Sequence, residues 1–314
     1  MAYVLAVLGA FANATTTILQ RMGVETAPPE TTMRLSLLAY ALRRTVWLIG
    51  FAVMIGAFLL QAFALHFGPL TVVQPILTLE LPFLVAILWL WFRQHMTWRE
   101  WVGACSAAGG LAMFLVIAHP SGGTERPSTG DWILVVSVCA AAVVTTILLT
   151  RTGSSAWKAA MFGTAAAVDF ALTAAFIKQM TDDIAAHGWG FLAHWSPYAV
   201  AVTGVLGLFL AQNAFHAGPV TASQATLVVV DPLTSVAIGI GLFGDTVRAG
   251  IGPVTLEVAS LAVMFAGVLS LAMSPLVAHV KSEDEDEHLL TRRWREVHGD
   301  VDGGEGTEAA WGAC

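Results

Sequence analysis

Three acidic residues sit where acids are costly: Glu80, Asp169 and Asp231 each lie inside a long apolar run of this 314-residue chain. A charged group at the centre of a membrane-spanning helix costs about 2.5 to 3.5 kcal/mol on insertion scales. Such an acid is expected to face an aqueous cavity, share a proton or hold a cation. A protonated acid bonded to a neighbouring helix is the structural alternative. Around Asp231, the residues Thr221, Gln224 and Ser235 recur at steps of three, seven and four, which return close to one helical angle. Thr71, Gln74 and Thr78 draw the equivalent face in an earlier run, but Glu80 is turned by about 100° from where Asp231 would predict it. Asn13 and Gln20, with Thr16 and Thr17, share a face of the first apolar run, and Asn213 punctuates another beside Gln212. These polar side chains would suit the path of a small polar molecule or a cation. For a cation, Asp231 and Glu80 are the expected ligands. Interhelical hydrogen bonding is the competing reading of each amide taken singly.

The elements that must position these groups are duplicated. Ala64-Leu-His-Phe-Gly-Pro-Leu-Thr-Val-Val-Gln runs on to Pro82, and Ala214-Phe-His-Ala-Gly-Pro-Val-Thr-Ala-Ser-Gln runs on to Pro232. At an offset of 150, His66 pairs with His216, Gly68 with Gly218, Pro69 with Pro219, Thr71 with Thr221, Gln74 with Gln224 and Pro82 with Pro232. The Gly-Pro pair reads as a tight turn that opens a helix, where proline's missing amide hydrogen is no loss. Pro82 and Pro232 read as mid-helix kinks, each freeing a carbonyl for a ligand, water or hydroxyl. A duplicated element with buried acids points to a transporter whose repeats meet around the substrate; a non-transporting membrane assembly or lipid-handling protein is the alternative of another class. His66 and His216 are both expected at outward helix ends, as interfacial caps rather than metal ligands.

With 56% hydrophobic and 12% charged residues, the chain excludes an ordinary soluble domain and reads as an all-α integral membrane protein. Its net charge of −7 is concentrated in residues 281–314, where ten acids face four bases. That segment is expected to be a disordered acidic tail. Three unclustered cysteines support neither a disulfide framework nor a cysteine metal site. No zinc-protease, nucleophile-elbow or phosphate-loop motif is present. The chain is therefore expected not to be an enzyme and to need no cofactor. Nucleic acid is not an expected partner; the bilayer and a small-molecule or cation substrate are, and a homodimer is left open.

Nearly uncharged windows predict helices near 1–22, 46–66, 71–92, 99–118, 131–150, 157–178, 197–216, 219–242 and 255–276. Residues 29–43 form either a shortened tenth span or an interfacial helix. Alternating the helices places twelve Lys or Arg on one side against three on the other, so the tail is cytoplasmic and the protein is expected in the plasma (inner) membrane. Lys178 falls at a span end, where it can snorkel outward. Trp89, Trp91, Trp98, Trp101, Trp132 and Trp157 read as interfacial anchors. The small residues from Gly103 to Gly110 should let another helix approach closely.

The Gly-Pro-Leu-Thr-Val-Val-Gln-Pro-Ile-Leu-Thr-Leu-Glu-Leu-Pro segment, the Arg93 to Arg99 hairpin and the Gly-rich helix after it resemble the EamA-type repeat of the drug/metabolite transporter superfamily. The second copy, from Gly218 to Gly244 and on to the last helix, resembles it too. The resemblance implies two inverted repeats, residues 1–118 and 131–276 joined by a loop at 119–130, and a permease working by alternating access. The short 29–43 segment departs from the five-helix pattern. A finer likeness, in Asn13-Ala-Thr-Thr-Thr-Ile-Leu-Gln-Arg-Met-Gly and Ala64-Leu-His-Phe-Gly-Pro-Leu, is to the NIPA-type magnesium transporters. The expected cargo is thus a small polar metabolite with proton coupling, or alternatively Mg²⁺.

Overall fold

A computed structural model describes residues 1–24, 45–91, 95–123, 127–247 and 251–274. The 29–43 segment and the acidic tail lie outside the described residues, as do the side chains of Gln20 and Thr221. The described chain is all helix, apart from one antiparallel bridge between Ser121 and Thr246. Nine of its helical segments are long and apolar enough to cross a membrane.

The elements are α1 (Ala2–Val24), α2 (Thr45–Phe67), α3 (Leu70–Leu77), α4 (Glu80–Leu90), α5 (Trp98–Ala118), α6 (Thr129–Leu149), α7 (Ser155–His187), α8 (Ser196–Ala217), α9 (Val220–Phe243) and α10 (Ile251–Ala272), with a 3₁₀ turn at Gly188–Ala193. Helix starts carry their own signals. Ser128 caps α6 by accepting from the Asp131 amide at 3.3 Å, while the Asp131 carboxylate accepts from the Ser128 amide at 2.9 Å. At α5 the Glu100 carboxylate accepts from the Thr97 amide at 2.6 Å. Its other oxygen accepts from the Ser274 hydroxyl, tying the start of α5 to the end of α10.

The predicted 71–92 helix is two helices. Pro75 and Pro82 each remove an amide hydrogen, and the chain tightens through Thr78 and Leu79, with Leu79 N donating to Ile76 O at 3.0 Å. Pro82 therefore stands in the first turn of α4 instead of mid-helix, whereas Pro232 does lie inside the uninterrupted α9.

Close packing rests on small residues, as expected where lipid offers no hydrophobic drive between helices. Ala6, Ala10 and Ala14 form a fully buried stripe on α1, which packs along α2. The predicted small-residue seam on α5 meets α10. Gly103 faces Gly267 and Leu271, and a Cβ on Gly110 would overlap the Met264 main chain. Ala165, Ala166 and Ala167 of α7 are fully buried, and the first two pack with Leu210 and Ala211 of α8. Trp132 departs from its expected anchoring role. It is 8% exposed, stacked on Phe176 at 5.3 Å and edge-on to Trp195 at 5.0 Å, whereas Trp91 and Trp98 are more than three-quarters exposed.

Candidate functional site

The duplicated helices pack on one another. A Cβ on Gly239, near the end of α9, would lie 2.9 Å from the Thr71 methyl group at the start of α3, so the beginning of one copy meets the end of the other. The two Gly-Pro turns fold alike. Pro69 accepts from the Val72 amide at 3.1 Å and Pro219 from the Ala222 amide at 3.0 Å. They do not lie on one side, however. Gly218 abuts the Ser155 carbonyl at the start of α7, whereas the carbonyls of Leu65 and Gly68 meet Lys178, 23 residues further along the same helix. At 1.5 Å per residue these contacts are roughly 34 Å apart, a bilayer's hydrocarbon thickness. His216 therefore lies by the first turn of α7 and His66 beside its later part, near Asp182, which corrects the expectation of two outward histidines.

Asp231 stands at the middle of α9, partly buried, and accepts from the Ser235 hydroxyl at 3.3 Å. Gln224 and Ser235 are buried on the same helix, so three of the four residues expected on its polar face are accounted for. On the first copy Thr71 and Gln74 are buried, and Thr78 donates to the Pro75 carbonyl at 2.7 Å. Glu80 begins α4, where the helix dipole favours a carboxylate.

Asp169 turns elsewhere. It is 3% exposed, its Oδ2 would lie 2.7 Å from a Cβ on Gly207, and that oxygen has no hydrogen-bond partner among the described residues. Gly207 is the gap in α8 that admits it. Asn213 donates from Nδ2 to the Phe209 carbonyl of its own helix at 2.7 Å. Asn13 is half-buried on α1, with the Thr17 hydroxyl donating to its carbonyl at 3.2 Å.

Sequence reasoning misplaced one of the two groups that fix the first turn, Lys178, and passed over the other, Asp245. Lys178 does not stand at a helix end, because α7 continues nine residues beyond it. Its ammonium donates to Leu65 O at 3.0 Å and Gly68 O at 3.3 Å, and lies 5.4 Å from the Phe243 ring centroid. It thus serves the open carbonyls at the end of α2. Asp245 serves the open amides at the start of α3. Its Oδ2 accepts from the Thr71 amide and hydroxyl, both at 3.2 Å, and its Oδ1 from the Gly123 amide at 3.3 Å. Burial pushes the Asp245 carboxyl above the ordinary range, against the pull of these hydrogen bonds and of Lys178. One acid and one base from the second half of the chain therefore cap both helix ends at Gly68-Pro69. A further acid within a span, Glu257 of α10, is 6% exposed with Oε1 unpartnered among the described residues. Its place in an apolar run was the signal that could have found it.

No family model matches the chain, and no solved structure matches it significantly. A Corynebacterium glutamicum protein described as uncharacterized is 29% identical over 248 residues, covering 77% of this chain and 85% of that relative.

Proposed function

We propose that this chain is a secondary transporter of the drug/metabolite permease type, moving a small polar metabolite by alternating access of two inverted repeats in exchange for protons. Its setting would be the plasma (inner) membrane, with the acidic tail on the cytoplasmic side. The observation that carries the reading is the head-to-tail packing of the duplicated helices α3 and α9, with one Gly-Pro turn at Ser155, where α7 starts, and the other at Lys178, far along it. Two copies of one element packed head to tail support a pathway that opens to each side in turn. Asp231, midway along α9 and beside Pro232, is the group that binds cargo or proton. The burial of Asp169 against Gly207 favours a packing role for that acid, so the assignment rests on Asp231.

The test is proton movement in proteoliposomes loaded with a pH dye, with polar metabolites or Mg²⁺ presented outside. Asp231→Asn should reduce solute-driven proton flux at least about tenfold, as expected when the ionisable group of a coupled path is removed. Asp169→Asn should keep most of it. Wild-type flux in Asp231→Asn would sink the site, and Mg²⁺ uptake without proton movement would make the ion the cargo.

A further inference from the structure

The far end of α7 carries a cluster that the transport reading does not use. Asp183, His187 and His194 each present one ligand atom, and these atoms lie within 4.8 Å of one another. Asp183 and His187 are one helical turn apart on α7, and His194 follows the 3₁₀ turn that leads into α8. The two imidazole rings face each other with centroids 4.3 Å apart.

The surrounding bonds orient these groups as a metal's outer partners do. Asp183 is buried, with Oδ1 accepting from Gln179 Nε2 at 2.9 Å and Oδ2 from the Ser196 hydroxyl at 2.5 Å. Each oxygen keeps a second lone pair. His187 Nδ1 is 3.2 Å from the Asp183 carbonyl, which selects the tautomer with hydrogen on Nδ1 and leaves Nε2 as a free donor pair. A first-row ion with bonds near 2.1 Å holds tetrahedral neighbours about 3.4 Å apart, so ligand atoms within 4.8 Å of one another need only draw together around it. His187 is exposed and His194 half-exposed, so both rings can move.

We propose that Asp183, His187 and His194 bind one divalent transition-metal ion of the Zn²⁺ kind, with solvent completing the shell, and that the ion fastens the turn between α7 and α8. Two imidazoles and one carboxylate suit Zn²⁺, Co²⁺ or Ni²⁺, whereas Mg²⁺ and Ca²⁺ call for oxygen ligands. The site is separate from Asp231 and does not depend on what the protein carries.

The experiment is calorimetric titration of the full-length detergent-solubilised protein with Zn²⁺, paired with Co²⁺ absorption. Three further histidines in residues 275–314 can also bind metal, so the site is counted by difference. His194→Ala and His187→Gln, both at solvent-accessible positions, should each lose one equivalent of Zn²⁺ or weaken it at least about tenfold. Each should also lose the intense visible band of low-coordinate Co²⁺ and the rise in thermal midpoint on adding Zn²⁺. Unchanged stoichiometry and affinity in both variants would overturn the site, and loss in one variant alone would overturn the three-ligand assignment. Displacement of Zn²⁺ by equimolar Mg²⁺ would overturn the metal class.

Discussion

Gly110→Val should destabilise the bundle by about 3 kcal/mol, at the upper end for overpacking a closely fitted interior. A Cβ at this position would meet the main-chain nitrogen and Cα of Met264 and the carbonyl of Ser260, and no side-chain rotamer can relieve overlap with a backbone. α5 and α10 would have to separate along the seam that also holds Gly103, Ala107 and Gly267. Gly109 supplies the control. Its added Cβ meets nothing within 4 Å, and valine is a better helix former than glycine, so Gly109→Val should leave stability within about 1 kcal/mol of the wild type. Unfolding in mixed detergent micelles, followed by tryptophan fluorescence, measures both. Equal midpoints for the two variants would refute the seam.

Asp245→Ala should cost a similar amount, about 3 kcal/mol, because it strands the Thr71 amide, the Thr71 hydroxyl and the Gly123 amide and leaves Lys178 without its nearby acid. Asp245→Asn keeps an acceptor oxygen and should lose about half as much. The pH dependence has a definite sign. Burial raises the folded carboxyl above its unfolded value of about 3.9, so the folded state holds the proton more tightly. This group's stabilising contribution is full below the unfolded value and is lost as pH rises through the folded one. Thermal midpoints measured upward from pH 4 should show this decline in the wild type, and it should flatten in Asp245→Asn. An identical pH profile in the two proteins would refute the role given to Asp245.

The helices were largely legible in the sequence, because apolar length and helix-start residues are local properties. The predicted 99–118 and 197–216 spans fall within one residue of α5 and α8 at each end. Two departures have local causes. Lys178, Gln179, Asp182 and Asp183 made the predicted 157–178 span stop early, although α7 continues to His187, directs Lys178, Asp182 and Asp183 toward other chain segments and bonds Gln179 to Asp183. The break at Thr78-Leu79 needs both flanking prolines to act together, which a hydropathy window does not register. The site was harder to read. Its polar face on α9 follows from helical angles alone, but Thr71 meets Asp245 across 174 positions, and Glu100 meets Ser274 across the same separation. No spacing rule links residues so far apart. The repeat disclosed two like turns, yet it took their contacts with widely separated parts of α7 to separate His66 from His216.

α7 is one unbroken helix of 33 residues, and it touches the first Gly-Pro turn through Lys178 and the second through Ser155. A helix held by its full ladder of hydrogen bonds barely changes length, so it sets a fixed vertical spacing between the two turns. In the proposed alternating access, rearrangement of either copy would then proceed by swinging about this rod or sliding along it, but not by drawing the turns together. A cross-link or spectroscopic ruler between the two turns should report a constant distance in every working state, while probes across α3 and α9 report the movement.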